Sequence, residues 1–362
     1  MAHFTNWLRR AWLAFAFLFF ASWIMRRLAK LMLHEHLDCS LRPRTMLELM
    51  QEHGYPANFP ASIKALMEAG EVGEASVLYQ RHIVGFASES LANYIEAVVN
   101  HVLPLMQTEE ALFRITEERI EDAVNDGLIG LELRFAPQLH TMKGLTLDQV
   151  MHSVICAIDG SPIPVRLVIC AQRQENREIA RQLVDLAIKY KEHVGVFDLA
   201  CDEHAYPGVL DWWAEEAQRL AAHGIILTVH LWETEDPTDE DVAMLDRYGI
   251  TRIGHGFRGN RQGNRWLEVC PTSNVVTGQV DSLEAHPIDD LLRAGKLVTL
   301  NTDGTLFTQV QLTDECLNMR RVFRWGRRQF YRVFINALDA SSFSPAQKSV
   351  MLAKGKRSYG ER

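Results

Sequence analysis

The chain has 362 residues, of which 47% are hydrophobic and 23% are charged, and its formal net charge is −8. This profile is typical of a globular protein with a large core. The acidic balance, without a basic run in the globular part, excludes a cationic surface that would wrap nucleic acid. The six cysteines are scattered without a CxxC pair, which favours a reducing, cytoplasmic location.

The first 30 residues form a segment distinct from the rest. Residues 11–25 are apolar apart from Ser22, and they are flanked by two arginine pairs, Arg9 with Arg10 and Arg26 with Arg27. This stretch is shorter than the roughly 17 to 25 residues of a membrane-spanning helix. No A-x-A cleavage site follows it, as one would after a signal peptide. Two interpretations stay open: a packed helix or a misassigned start, and an anchor that associates with a membrane through residues 11–25.

From residue 31 to residue 362 the chain alternates short apolar runs with longer helical patterns, and we interpret this part as one domain. Clear helical periodicity occurs at 112–124, 178–190 and 209–222. Eight strand–helix units predict a (β/α)8 TIM-type barrel, an α/β fold with a closed parallel sheet. The predicted strands are residues 31–36, 130–135, 165–170, 194–199, 225–230, 251–255, 267–270 and 297–301.

Two parts of the predicted barrel are irregular. Residues 44–126 form a long, mostly helical insertion after strand 1, and we expect it to cap the barrel mouth. Only residues 256–266, with three glycines and three arginines, separate strands 6 and 7. A parallel crossover usually needs a dozen residues or more. Either this connection is a bare loop or the barrel is incomplete there.

Titratable side chains stand at the predicted ends of four strands, where barrel enzymes place their active sites. The two-residue spacing of His34 and His36 directs both side chains to the same face of strand 1. Taken singly, each of these residues has an ordinary structural explanation. Together they are costly to bury around one barrel mouth unless they share a metal ion. The set comprises His34, His36, His230, Glu233, His255 and Asp303.

Three neutral imidazoles and one carboxylate are a plausible ligand set for a divalent metal ion. Such nitrogen and oxygen ligands suit zinc, with iron or manganese as alternatives. The cysteine-rich zinc deaminase signature, H-x-E with P-C-x-x-C, is absent from the sequence. A serine hydrolase is disfavoured because there is no G-x-S-x-G motif.

At these residues the sequence resembles the adenosine deaminase family of the amidohydrolase superfamily. Seven motifs occur in the family's order, which is far more specific than any one of them. The segment HLD followed by SLRP looks closer to the adenosine branch than to the adenine branch. The motifs are LHEHLDCSLRP (33–43), LRFAPQLH (133–140), DLACDE (198–203), TVHLWE (228–233), RIGHG (252–256), EVCPTSN (268–274) and LNTDG (300–304).

The resemblance implies hydrolytic deamination of adenosine, a purine nucleoside, to inosine and ammonia with one Zn²⁺ per chain. Glu233 would donate a proton at purine N1, and His255 would orient and help deprotonate the zinc-bound water. Asp38 would contact the ribose. The implied zinc ligands are His34, His36, His230 and Asp303.

Five positions depart from the family pattern. Leu231 stands with Trp232 where the family has HAGE, and the other four alter the expected substrate pocket. Cys39, Cys201 and Trp232 replace glycines, and Gly304 replaces a second aspartate that binds the purine imidazole nitrogen. The family glycines let the backbone approach the purine, and the family's second aspartate binds it. We therefore assign Cys201 and Gly304, which stand at two of these positions, to substrate binding. We expect the larger side chains to add volume at the base and to strain any backbone with positive φ. Two alternatives follow: deamination of another aminopurine or N-heterocycle, and an impaired homologue that binds metal or ligand without turnover.

Overall fold

Eight parallel strands form the centre of the computed structural model, which describes residues 21–206, 213–259 and 263–361. Neighbouring strands pair in chain order from the first to the eighth, so the predicted (β/α)8 barrel is confirmed. The strands are Lys30–Met32 (β1), Leu128–Phe135 (β2), Val165–Gln172 (β3), Val194–Ala200 (β4), Ile226–Leu231 (β5), Arg252–His255 (β6), Trp266–Val269 (β7) and Leu297–Leu300 (β8).

The barrel closes between β1 and β8 through residues that follow these strands. The N–H of His36 donates to the Asp303 carbonyl at 2.7 Å, and the N–H of Asp303 donates to the His34 carbonyl at 3.1 Å. The side-chain oxygen of Asn301 accepts a further bond from the N–H of His34 at 3.1 Å. Strand β1 ends at Met32, four residues earlier than predicted. The reason is that the Asn301 side chain, and not a backbone carbonyl of β8, accepts the N–H of His34.

The segment between β1 and β2 is mainly helical, as predicted. A π-helical turn, Val98–Val102, directly follows the fourth helix of this segment. The helices are Pro43–His53 (α1), Ala61–Glu68 (α2), Val72–Ala87 (α3), Leu91–Ala97 (α4) and Glu109–Asn125 (α5).

Helices also follow most of the later strands. Helix α6 begins with a capping box, in which the Thr146 hydroxyl accepts the N–H of Gln149 and the Gln149 side chain accepts the N–H of Thr146. These helices are Leu147–Asp159 (α6), Arg177–Lys189 (α7), Trp213–Ala222 (α8), Asp239–Arg247 (α9), Pro271–Val276 (α10), Ile288–Arg293 (α11), Thr305–Thr308 (α12), Leu312–Phe323 (α13), Arg327–Ala340 (α14) and Pro345–Tyr359 (α15).

The described part of the short connection between β6 and β7 is a bare loop, the first of the two predicted possibilities. Its described residues, 256–259 and 263–265, form turns and no helix. Strands β6 and β7 nevertheless pair in parallel, with Arg252 opposite Trp266. The sheet is therefore complete at this point, and the alternative of a missing barrel unit is wrong.

The end of the N-terminal segment packs on the barrel. Residues 21–26 are helical, and Met25 and Leu28 are buried in the main core. The domain boundary between residues 30 and 31 stays a prediction. Residues 1–20, and with them most of the predicted membrane anchor, lie outside the described residues. Among the helices that are described, none has the length and apolar character needed to cross a membrane.

A network of buried charges fills the barrel interior beneath the strand ends. The Arg134 guanidinium donates to Asp198 Oδ2 at 2.8 Å and to Glu268 Oε2 at 2.5 Å. Arg252 contacts Glu268 Oε1 at 2.6 Å and Glu132 Oε2 at 2.7 Å. Burial alone would raise the pKa of Glu268, but the adjacent arginines lower it below its ordinary range. All five side chains are fully buried, so each charge depends on its partners.

We expect Arg134→Met to lower the free energy of unfolding by about 3–5 kcal/mol, because it leaves buried carboxylates without their counter-ion. Urea unfolding followed by circular dichroism measures the change. Arg177→Met is the matched control, since Arg177 and its partner Glu215 are both 55% exposed. We expect the control to change stability by less than about 1 kcal/mol. Equal effects of the two substitutions would contradict a structural role for the buried network.

Candidate active site

Four of the predicted site residues converge at the carboxyl ends of the strands. The Nε2 atoms of His36 and His230 lie 3.2 Å apart. Asp303 Oδ1 lies 3.5 Å from Nε2 of His34 and 3.5 Å from Nε2 of His36. The candidate ligand atoms of the three histidines all lie within 4.8 Å of one another. This arrangement could hold a metal ion.

The donor set fits a cation because it includes a buried imidazole nitrogen without a hydrogen-bond partner among the described residues. His34 Nε2 is buried and forms no hydrogen bond with any described residue. Its other ring nitrogen lies 3.0 Å from Glu268 Oε2, and Nδ1 of His230 lies 3.0 Å from Asp198 Oδ2. Carboxylates behind metal-binding histidines fix the ring orientation in this way. Burial lowers the pKa of His230, which keeps its imidazole in the neutral form that binds metals.

A second group of candidate ligands includes Cys270, which the sequence interpretation did not assign to the site. Its sulfur could share a cation with His34 and His255 by distance. However, burial raises the pKa of the Cys270 thiol well above its ordinary value, and the sulfur donates to the Glu268 carbonyl at 3.3 Å. A protonated thiol is a poor ligand, so the histidine and aspartate group is the better candidate.

Glu233 is placed beside these histidines by the turn that follows β5. Its Oε2 lies 3.5 Å from His255 Nε2, and its Oε1 accepts a bond from Asn274 at 3.4 Å. Burial, followed by the nearby charges of Asp303 and Glu203, raises the pKa of Glu233 well above its ordinary value. A carboxyl group that stays protonated at neutral pH can serve as an acid.

Glu203 holds this turn, a role that the sequence interpretation missed although the residue ends the DLACDE motif. Its buried carboxylate accepts the backbone N–H groups of Trp232 at 2.8 Å, Glu233 at 2.7 Å, Thr234 at 2.6 Å and Glu235 at 3.1 Å. Four donors on one carboxylate fix the path of the chain through Glu233.

Four residues at the strand ends have the left-handed backbone conformation that favours glycine. Their φ angles are 86° for Cys201, 60° for Trp232, 58° for His255 and 68° for Asp303. Such conformations cost a non-glycine residue about 1–3 kcal/mol and concentrate at functional sites. The expected strain at Cys201 and Trp232, where the family pattern has glycine, therefore occurs.

The cavity above the site has a polar floor and an apolar wall. The floor includes Asp38, Cys201, Glu233 and His255. The wall comes from the insertion after β1, as expected for a cap on the barrel mouth. Its members are Leu91, Tyr94, Ile95, Val98, Val99 and Leu103.

Trp232 and Gly304 are placed differently from the expectation. The buried Trp232 indole points toward α9, where its N–H donates to Asp241 Oδ2 at 3.1 Å. Trp232 is not among the residues that line the cavity. The prediction that its side chain adds volume where the base would sit is therefore wrong. Gly304 also lies outside the cavity lining. A Cβ atom there would collide with the Tyr94 hydroxyl and approach Cys39 Cβ to 2.5 Å. Tyr94 and Cys39 therefore occupy the space that a side chain at 304 would need.

Comparisons with known proteins agree with this fold and identify the family. The family model described as adenosine deaminase matches residues 29–355. The adenosine deaminase of Mycobacterium ulcerans is 33% identical over 349 residues, which are 88% of this chain and 91% of the relative. Two solved structures share the fold at a TM-score of 0.77.

The first of these structures is an adenine deaminase from Arthrobacter aurescens, with 22% identity, covering 91% of this chain and 98% of that one. The second is an amidohydrolase from Burkholderia ambifaria with bound Zn, with 18% identity and coverage of 94% and 92%. The family match places the chain among the hydrolases that deaminate aminopurines. Within that class, the chain belongs to the adenosine deaminase family.

We expect Glu203→Ala to loosen the turn that carries Glu233, because four buried N–H groups lose their acceptor. The free energy of unfolding should fall by about 1–3 kcal/mol, and the amides of residues 232–235 should exchange faster with deuterium. Hydrogen-exchange mass spectrometry measures the second effect. Glu215→Ala, which removes an exposed carboxylate, is the control. Unchanged exchange in residues 232–235 would show that Glu203 does not hold the turn.

Proposed function

We propose that the protein catalyses the zinc-dependent hydrolytic deamination of adenosine to inosine and ammonia. The class of reaction, hydrolytic deamination of an aminopurine, follows from membership of the adenosine deaminase family. The observation that carries the assignment of the site is the buried Glu233, with its raised pKa, beside the converging histidines.

In this proposal His34, His36, His230 and Asp303 hold one zinc ion. The free Nε2 of His34 and the nitrogen and oxygen donors support that assignment. When bound, zinc lowers the pKa of water to about 7 and so supplies hydroxide at neutral pH.

Glu233 would act as the acid of the reaction. Attack of the water oxygen on C6 of adenine is favoured when the neighbouring ring nitrogen, N1, takes up a proton. The raised pKa of Glu233 keeps that proton available in a buried site. The hydroxyl proton of the added oxygen then passes to the amino group, and the C6–N bond breaks with release of ammonia. The proton at N1 stays on the inosine ring, and the proton lost by the attacking water restores Glu233.

The other assigned residues would bind and orient the reactants. His255 would orient the attacking water, and Asp38, which lines the cavity, would contact the ribose. Burial raises the pKa of Asp38 to about 6. Cys201 also lines the cavity and would contact the base. Gly304 would act on the substrate indirectly, by leaving room for Cys39 and Tyr94.

A second candidate substrate is a different aminopurine. The space next to Gly304 is filled by Tyr94 and Cys39, and the apolar wall reaches the same side of the cavity. These residues give the pocket a shape of its own, which supports testing related substrates beside adenosine.

We also propose a cytoplasmic location. All six cysteines lie in the described residues, and none forms a disulfide. Free thiols are typical of proteins in a reducing compartment.

A metal analysis combined with a substrate panel tests the proposal. We expect about one zinc per chain, with ammonia release from adenosine exceeding that from adenine or adenosine monophosphate. A chelator should abolish this activity, and added zinc should restore it. Faster turnover of another aminopurine would favour the second substrate. Full zinc occupancy without turnover of any aminopurine would contradict the proposed activity.

Glu233→Gln should lower kcat by about 10²-fold or more, because the amide cannot donate the required proton. Zinc content should stay unchanged, since Glu233 is outside the proposed ligand set. Glu235→Gln, two residues later on the same turn, is the matched control and should keep most of the activity. Wild-type turnover by Glu233→Gln would exclude Glu233 as the acid.

A further inference from the structure

A chain of hydrogen bonds enters the site through two residues to which the proposed mechanism gives no role, His286 and Asn274. The backbone N–H of Ile288 donates to His286 Nδ1 at 3.1 Å. His286 Nε2 lies 3.3 Å from Asn274 Oδ1, and Asn274 Nδ2 lies 3.1 Å from His255 Nδ1. The three side chains are buried, so each polar atom depends on these partners.

The donor and acceptor roles along this series of hydrogen bonds are set by the backbone N–H of Ile288, where the series begins. A backbone N–H can only donate, so His286 Nδ1 must accept. Burial lowers the pKa of His286 to about 3, and the neutral ring therefore carries its hydrogen on Nε2. That hydrogen points to Asn274, whose facing atom must be the amide oxygen.

The orientation of Asn274 in turn determines the state of His255. With its oxygen facing His286, the amide turns its NH₂ group toward His255 Nδ1, which must accept. The same NH₂ group also donates to Glu233 Oε1 at 3.4 Å. A neutral His255 then carries its hydrogen on Nε2, the ring nitrogen that lies 3.5 Å from Glu233 Oε2.

We infer that the relay from Ile288 through His286 and Asn274 fixes His255 in the Nε2–H form, so that His255 donates a hydrogen bond to the attacking oxygen. This inference rests on the proposed deamination. In that form neither ring nitrogen has a free lone pair, so His255 does not remove a proton from the attacking water. The hydrogen bond transfers no proton; it positions the oxygen and stabilises its negative charge. Asn274 and His286 are positioning residues, because they act through His255.

The protonation state of His255 can be observed directly in the zinc-loaded enzyme. Two-bond ¹H–¹⁵N spectra of protein with ¹⁵N-labelled histidines distinguish protonated from unprotonated ring nitrogens. The signals that disappear in His255→Gln identify His255. We expect a protonated Nε2 and an unprotonated Nδ1 at neutral pH. A proton on Nδ1, alone or in an imidazolium, would overturn the inference.

Asn274→Asp tests the consequence for catalysis. A carboxylate can only accept, so the hydrogen of His255 should move to Nδ1, and Nε2 should lose its donor. Loss of one such donor lowers kcat by about 10²–10³-fold, while KM should change by only about a few-fold. His152→Gln, an exposed histidine on α6, is the control and should leave both the His255 signals and kcat unchanged. Full kcat with the hydrogen on Nδ1 would exclude the donor role.

Two substitutions at His286 test the same relay if the Asn274→Asp variant does not fold. His286→Gln retains an N–H donor for Asn274 Oδ1, whereas His286→Leu has none. We expect His286→Gln to keep the Nε2–H form and at least about a third of wild-type kcat, and His286→Leu to lose both. Equal kcat and equal spectra for the two variants would contradict the relay.

Failure of this inference can be told apart from failure of the proposed function. The spectra require no substrate, so they decide the form of His255 even if the wild-type enzyme deaminates no aminopurine. If the wild-type enzyme turns over adenosine and His255 carries its hydrogen on Nδ1, the proposed function stands and the relay does not.

Discussion

The Arg134 guanidinium lies inside the barrel between two carboxylates that each contact a site histidine. Glu268 contacts His34, and Asp198 contacts His230. Arg252 and Arg134 together lower the pKa of Glu268, and His230 and Arg134 lower that of Asp198. Arg134 is the positive charge that the two carboxylates share. The two imidazoles point their remaining nitrogens toward the cavity because their other nitrogens are held from below. The orientation of the candidate ligands thus depends on charges buried during folding, before any cation is bound.

The surroundings of two carboxyl groups in the site, those of Glu233 and Asp303, shift their pKa values in opposite directions. Burial and neighbouring negative charges disfavour the anion of Glu233 and raise its pKa. Burial alone would also raise the pKa of Asp303, but contact with His34 lowers it well below its ordinary value. The Ser273 hydroxyl donates to Asp303 at 2.6 Å, which also favours the carboxylate. One group is therefore suited to give a proton and the other to bind a cation, within the same cavity.

Much of the architecture was predictable from the sequence because strand–helix alternation and polar residues at strand ends are local patterns. The closure of the barrel beyond Met32 was not predictable, because it depends on an Asn301 side chain far along the chain. The direction of the Trp232 side chain depends on a positive φ that its neighbours impose. The contacts of Glu203 and Asn274 join distant segments. Their motifs were visible in the sequence, but the geometry that gives them a role was not.

Cys39 and Gly304 illustrate how a pocket can diverge within a family. Their space is shared, with the Tyr94 hydroxyl as a third occupant. A residue larger than glycine at 304 is sterically incompatible with the present neighbours. During divergence these positions are therefore epistatic: the order in which they mutate determines which intermediates are viable. A reversal of the substitution at 304 becomes accessible only after its neighbours have made room.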